Sequence, residues 1–148
     1  MARVRRIPYE TTIVVRDSCL CLHVQRAARR LARRFDEALR PFGLTNGQFS
    51  LMMSLNRPQA PVIGAVASLL AMDRTTLTAA LKPLKRRGLI KITTDPEEHR
   101  ARLLELTQQG RKTLARAVPV WKRTHSTVEA RLGHGEPDRL RRNLRSLC

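Results

Sequence analysis

A chain of 148 residues with 42% hydrophobic content is long enough for one domain with a modest core, which excludes a disordered class. Aromatic residues make up only 3%, too few for the stacking platforms of single-strand binders, whereas 29 lysines and arginines against 12 acids give a formal charge of +17 that attracts polyanions. No apolar run is long enough to span a bilayer, no secretory signal is visible, and Cys19, Cys21 and Cys148 are odd in number and unevenly spaced, so the chain reads as cytoplasmic, without a membrane segment or a disulfide framework.

Residues 1–17 hold Arg3, Arg5, Arg6 and Pro8 with no clear period and read as a basic N-terminal arm. From Ser18 the spacing of Leu20, Val24, Ala27, Leu31, Phe35 and Ala38 puts one apolar stripe on a helix over 18–40, with Arg26, Arg29, Arg30, Arg33 and Arg34 on its solvated side. Pro41 and Gly43 end it. Thr45-Asn46-Gly47-Gln48 then has capping-box form, opening a second helix through Phe49, Met52 and Met53 to Leu55. Prolines break the chain over 58–61, residues 62–71 read as a short apolar helix, and Asp73 is a good N-cap for the next.

That next helix, over 74–87, carries the functional argument. At about 100° per residue, Leu77, Ala80, Leu81 and Leu84 cluster on one side, and Thr75, Lys82 and Arg86 lie opposite, flanked by Thr78 and Ala79. The outward face is small, hydroxylated and cationic, without an acid. Threonine hydroxyls bond phosphates or base edges, their methyls suit thymine, and lysine and arginine reach guanine or phosphate. Arg74 sits nearer the buried edge, but in the first turn, where recognition helices place their base contacts. Gly88 after Lys85-Arg86-Arg87 is the expected left-handed stop, and Pro83 is expected to bend the helix late, past its groove-facing turns.

After Gly88 the period falls to two. Ile90 and Ile92 alternate with Lys91 and Thr93, residues 95–99 turn, and Arg100, Arg102, Leu104 and Leu106 share one face of a return strand, which makes a hairpin with an apolar base and a charged tip. A long helix follows over 107–132, with Pro119 predicting a bend or a split, then a Gly133-His134-Gly135 break and a closing helix with Leu140, Leu144 and Leu147. The fold class is mainly α with a small β-hairpin wing, in the order of a winged helix-turn-helix.

The chain resembles the MarR-type transcriptional regulators over about residues 18–132, through "GLTNGQFSLMMSL", "MDRTTLTAALKPLKRRGLI" and, most specifically, "DPEEHRARLLELTQQG". The last is similar to the family's wing signature at Glu98, His99, Arg100, Leu106, Thr107 and Gly110; the family more often has aspartate and arginine at Glu98 and His99, which leaves Arg100 and Arg102 for the minor-groove contact. The resemblance implies one regulator domain over 18–148, with a DNA-binding module over 44–106 and dimerisation helices over 18–40 and 107–148. It also implies a homodimer on a palindromic operator in double-stranded DNA, controlled by a small aromatic or phenolic ligand or by thiol oxidation. The candidate DNA contacts are Arg74, Thr75, Thr76, Thr78, Lys82, Arg86, His99, Arg100 and Arg102.

Cys19, Cys21 and His23 are candidates for redox or ligand sensing, since a helix N-terminus favours a thiolate; buried structural thiols are the alternative. Cysteines two apart on a helix point to nearly opposite sides, so they do not bridge each other. Neither metal nor cofactor is expected, because His23, His99, His125 and His134 are scattered and no zinc set is complete. Trp121 is read as an interface, pocket or core residue. An enzyme is not expected: phosphate loop, paired carboxylates and activated nucleophile are all missing. The competing reading is a basic winged-helix architectural or protein-interaction module without sequence preference; salt dependence appears in both, and specificity separates them.

Overall fold

A computed structural model describes residues 6–148, so Arg3 and Arg5 of the expected arm lie outside the described residues. The chain divides into two units between Arg34 and Phe35. The first contains helix α1 (Tyr9–Ser18) and the first three turns and more of α2 (Leu20–Leu39). The stretch read as an arm without a clear period is thus helical from Tyr9 onward. Tyr9–Ser18 buries no side chain and has no apolar stripe to give it a period; its helical signals are local, with Glu10 in the first turn, Arg16 in the last and the Ser18 hydroxyl donating to the Val14 carbonyl. The start expected at Ser18 also moves, because the chain breaks at Cys19, whose ψ is 106°, and α2 begins at Leu20.

The second unit builds the core. Arg40–Phe42 tighten into a 3-10 turn that stops at Gly43, with φ 65°. The predicted capping box forms as read: the Thr45 hydroxyl accepts from the Gln48 N–H at 3.2 Å, and the Gln48 side chain accepts from the Thr45 N–H at 3.1 Å, opening α3 (Asn46–Ser54). Asp36 adds a carboxylate oxygen 2.6 Å from the Asn46 N–H, at the positive end of the same helix. Helix α4 (Ile63–Leu69) is shorter than the expected 62–71. Leu70 to Asp73 form the turn into α5 (Arg74–Arg86), with Ala71 in the left-handed region at φ 51°.

Strands β1 (Ile90–Thr94) and β2 (Arg102–Leu106) pair antiparallel, Ile90 opposite Leu106 and Ile92 opposite Leu104. Arg100, expected on the return strand, lies instead in the tip, because the Asp95 N–H bonds the Ala101 carbonyl and the Ala101 N–H turns back to Glu98, which closes the loop before the ladder begins. One contact had no sequence signal: the Leu104 N–H donates to the Pro61 carbonyl at 3.0 Å, and Val62 bridges Leu103, so the proline-rich connection runs along the free edge of β2. Proline lacks a donor but keeps its acceptor, which suits an edge.

Helix α6 (Gln108–Glu129) is continuous through Pro119, so of the expected bend or split the split does not occur. Pro119 and Ala115, the residue whose carbonyl loses its helical partner, are both exposed, so that oxygen is on the solvent side of the helix. The Gly133–Gly135 break leads to α7 (Glu136–Arg145), joined to α6 by Arg141 pairing with Glu129, while Asp138 within α7 holds the same guanidinium at 2.6 Å. The single core cluster runs from Phe35 and Leu39 through Leu51, Met52, Val66, Leu77, Leu81 and Leu84 to Leu104, Leu106, Leu114 and Ala117. Trp121 packs partly buried against it, its ring 5.9 Å from Phe49 and stacked on His125 at 4.7 Å.

The junction of hairpin and α6 explains the Leu-Thr-x-x-Gly part of the sequence. The Thr107 hydroxyl caps α6 by accepting from the Gly110 N–H at 3.0 Å and donates to the Gly88 carbonyl at 2.5 Å, while the Thr107 N–H donates to the Leu89 carbonyl. A Cβ at Gly110 would lie 2.0 Å from the Leu89 carbonyl oxygen, closer than any relaxation of a side chain relieves. Gly110→Ala is therefore expected to lower stability by about 2 kcal/mol or more in a denaturant titration, although alanine is intrinsically the better helix former. An unchanged midpoint would show that the junction is not rigid.

Candidate nucleic-acid interface

Helix α5 starts where Asp73 caps it. The carboxylate accepts from the Thr76 N–H at 2.8 Å and from the Thr76 hydroxyl at 2.7 Å, and these hydrogen bonds hold the Asp73 acid below its ordinary value of 3.8. Leu77, Leu81 and Leu84 are buried and Ala80 partly so, as the wheel predicts. The helix runs through Pro83 without interruption and ends as expected: Gly88 takes φ 66°, its N–H bonds the Lys85 carbonyl, and the Leu89 N–H reaches back to Leu84. Arg87, read only as a charge at the helix end, donates to the Gly43 carbonyl at 2.7 Å and so ties this end of α5 to the turn before α3.

The burial of one face decides what the other presents. Arg74, Thr75, Thr76, Thr78, Ala79, Lys82 and Arg86 are all exposed, and none of the four cations Arg74, Lys82, Arg86 and Arg100 has a carboxylate partner among the described residues. The wing is held by the cross-strand pair Lys91–Glu105 and by Arg102 donating to the Thr94 hydroxyl, and its tip by the Asp95 carboxylate, which accepts from the Glu97 N–H at 2.9 Å. His99 and Arg100 are exposed at that tip. An open cleft of about 430 Å³ lies between helix and wing, lined by Arg74 and Thr78 from α5 and by Glu98, Arg100 and Arg102 from the hairpin. Gly64 of α4 forms its floor; a Cβ there would come within 3.3 Å of Arg74 Nη2. Neither Gly64 nor Glu98 carried a sequence signal for this role, because both depend on which helix the wing folds against.

The proposed sensing residues sit elsewhere. Cys19 is half-buried between α1 and α2; Cys21 is exposed, with Gln25 Nε2 3.1 Å from its sulfur; and the exposed His23 donates from Nδ1 to the Cys19 carbonyl at 2.9 Å. Among the described residues, no group of three histidine, cysteine or acidic side chains is placed to hold a metal ion, and no helix is long and apolar enough to cross a membrane.

No protein-family model matches the chain. Among solved structures, the M. tuberculosis transcriptional regulator MosR in complex with DNA is 36% identical, and its fold agrees at a TM-score of 0.80 over 88% of this chain and 93% of that one. The chain belongs to the MarR family of winged helix-turn-helix transcriptional regulators. The transcriptional repressor CouR, bound to a 23-mer DNA duplex, is 28% identical with a TM-score of 0.81 over 97% of this MarR-family chain and 99% of its own. The organic hydroperoxide resistance transcriptional regulator of Bacillus subtilis is 25% identical over 104 residues, 70% of this chain and 71% of that relative. Against some other relatives the match spans about half their length, 54% for an activator from Rhodopseudomonas palustris.

The Asp73 cap gives this MarR-family chain a pH signature. A carboxylate whose folded value is depressed contributes stability that is fully present above its unfolded value, near 3.8, and is lost as pH falls through the folded value. The melting temperature of Asp73→Ala is therefore expected to lie below that of the native chain at pH 7, with the gap narrowing below about pH 4. Thermal melts of both proteins across that range test it; a gap that does not change with pH would remove the carboxylate from the cap.

Proposed function

We propose that this regulator binds a palindromic operator in double-stranded DNA as a homodimer, acts as a repressor, and leaves the operator when a small aromatic ligand binds or a thiol is oxidised. The observation that carries the reading is the exposed face of α5: cations and hydroxyls without an acid, with Arg74, Lys82 and Arg86 lacking a carboxylate partner among the described residues, beside a wing whose arginines border the same cleft. α5 enters the major groove, Arg74, Thr75, Thr76, Thr78, Lys82 and Arg86 supply base and phosphate contacts, and His99, Arg100 and Arg102 reach the neighbouring minor groove or backbone. That MosR and CouR form complexes with DNA supports duplex binding by this fold.

The dimer is supported by what the chain leaves uncovered. Leu20, Val24 and Leu31 on α2, with Leu140, Leu144 and Leu147 at the C-terminal end, are exposed apolar side chains. A two-fold copy burying such stripes requires two half-sites related by the same symmetry. The thiol branch is supported by the exposure of Cys21 and by the name of the B. subtilis relative. The ligand branch rests on the family resemblance.

Selection of genomic fragments by the purified protein is expected to yield one operator, preferred over random duplex by about 10³-fold or more. Thr75→Ala and Lys82→Ala should weaken that preference. Arg100→Ala should lower affinity evenly across sequences and reduce the slope of log affinity against log salt by about 0.9 for a lost phosphate contact. Equal affinity for operator and random duplex would favour the architectural module, and unchanged operator binding in all three variants would remove α5 and the wing from the interface.

A further inference from the structure

Resting on the duplex-binding reading above, we infer that α5 recognises a thymine methyl group through Thr78 and Ala79. The argument begins with the three threonines of the first turns, which look equivalent in sequence but not in hydrogen bonding. A hydroxyl has one proton to donate. Thr76 gives its proton to the Asp73 carboxylate at 2.7 Å, so its hydroxyl belongs to the helix cap. Thr78 gives its proton to the Arg74 carbonyl one turn back, also at 2.7 Å. Only the Thr75 hydroxyl has no partner among the described residues, and it alone is free to donate to a phosphate or an acceptor on a base.

Thr78 therefore faces the groove chiefly as a methyl group. The bond to Arg74 holds its oxygen against the helix, and χ1 of a β-branched side chain is stiff, so the methyl is fixed in direction at little further entropic cost. Thr78 and Ala79 together line a shallow depression of about 310 Å³ on the exposed side of α5, rimmed by Arg74, Thr75 and Lys82. Two methyl groups inside a cationic rim match one feature of the major-groove floor, where the thymine C5-methyl is the apolar group among polar base edges. The rim supplies phosphate and guanine contacts, and the depression supplies discrimination of thymine from cytosine.

Replacing thymine by uracil removes that methyl and nothing else. Once an operator has been selected, each thymine of a half-site is replaced in turn, symmetrically in both halves, and binding is measured for the native protein, Thr78→Ser and Thr75→Ser. Serine keeps the hydroxyl and its bond to the Arg74 carbonyl but lacks the methyl. The expected result is one position at which uracil weakens native binding by about fourfold per half-site, the worth of one buried methyl group. That loss should shrink in Thr78→Ser, where only the Ala79 methyl remains, and persist in full in Thr75→Ser. A strong operator preference with no uracil-sensitive position overturns the inference, as does a uracil penalty undiminished in Thr78→Ser. Absence of any operator preference is a different result, which removes the duplex-binding reading and this inference with it.

Discussion

The rotation of α5 about its own axis is the constraint on which the functional surface depends, and three leucines set it. Leu77, Leu81 and Leu84 are each 1% exposed or less and belong to the same cluster as Val66, Leu104 and Leu106. Burying a leucine stabilises by about 1.5–3 kcal/mol, so the three together outweigh the cap and the charges at the helix ends, each of which contributes about 1 kcal/mol. A turn of the helix by one residue would put Thr76 or Thr78 into that core and expose a leucine. The cationic face is thus the remainder after burial is satisfied. The cap at Asp73 and the glycine at 88 decide only where the helix begins and stops.

A second constraint joins the wing to the rest of the chain. Thr107 bonds Gly88, Leu89 and Gly110, and Gly110 lets α6 approach the Leu89 carbonyl more closely than any side chain permits. The end of α5, the base of the hairpin and the start of α6 therefore meet at one point. Within the wing signature, Leu106-Thr107 with Gly110 is architectural: it fixes the base of the wing to the end of α5 and the start of α6. Arg87 does comparable work at the same end of α5 by holding the Gly43 turn.

What remains on the surface is unfinished in two chemically different ways. The α5 face and wing carry positive charge without counter-charge, which calls for a polyanion. The helices nearer the chain ends carry exposed leucines and valine, which call for apolar cover. The proposed symmetric pair on a duplex would meet both needs at once. Trp121, open between interface, pocket and core in sequence, is a core-flanking residue in the chain itself, stacked between Phe49 and His125.

Most of the winged helix-turn-helix half was legible in residue order, because its signals are local. Capping boxes, the 3.6-residue leucine stripe, a glycine after cations and two-residue alternation all act within a few positions, and the α3 cap, α5, Gly88 and the hairpin follow from them. The helix over Tyr9–Ser18 was not legible, since it buries nothing and so has no period. Nor were the Pro61 carbonyl on Leu104, Gly64 beneath Arg74 or the close approach at Gly110, because each joins elements whose spatial neighbours are not encoded by spacing along the chain. Sequence alone determined which side chains α5 turns outward, as periodicity and burial are one-dimensional facts about a helix. Tertiary structure decided that the wing arginines share a cleft with them and which threonine protons are already engaged, since distances across the fold and hydrogen-bond partners exist only once the chain has closed on itself.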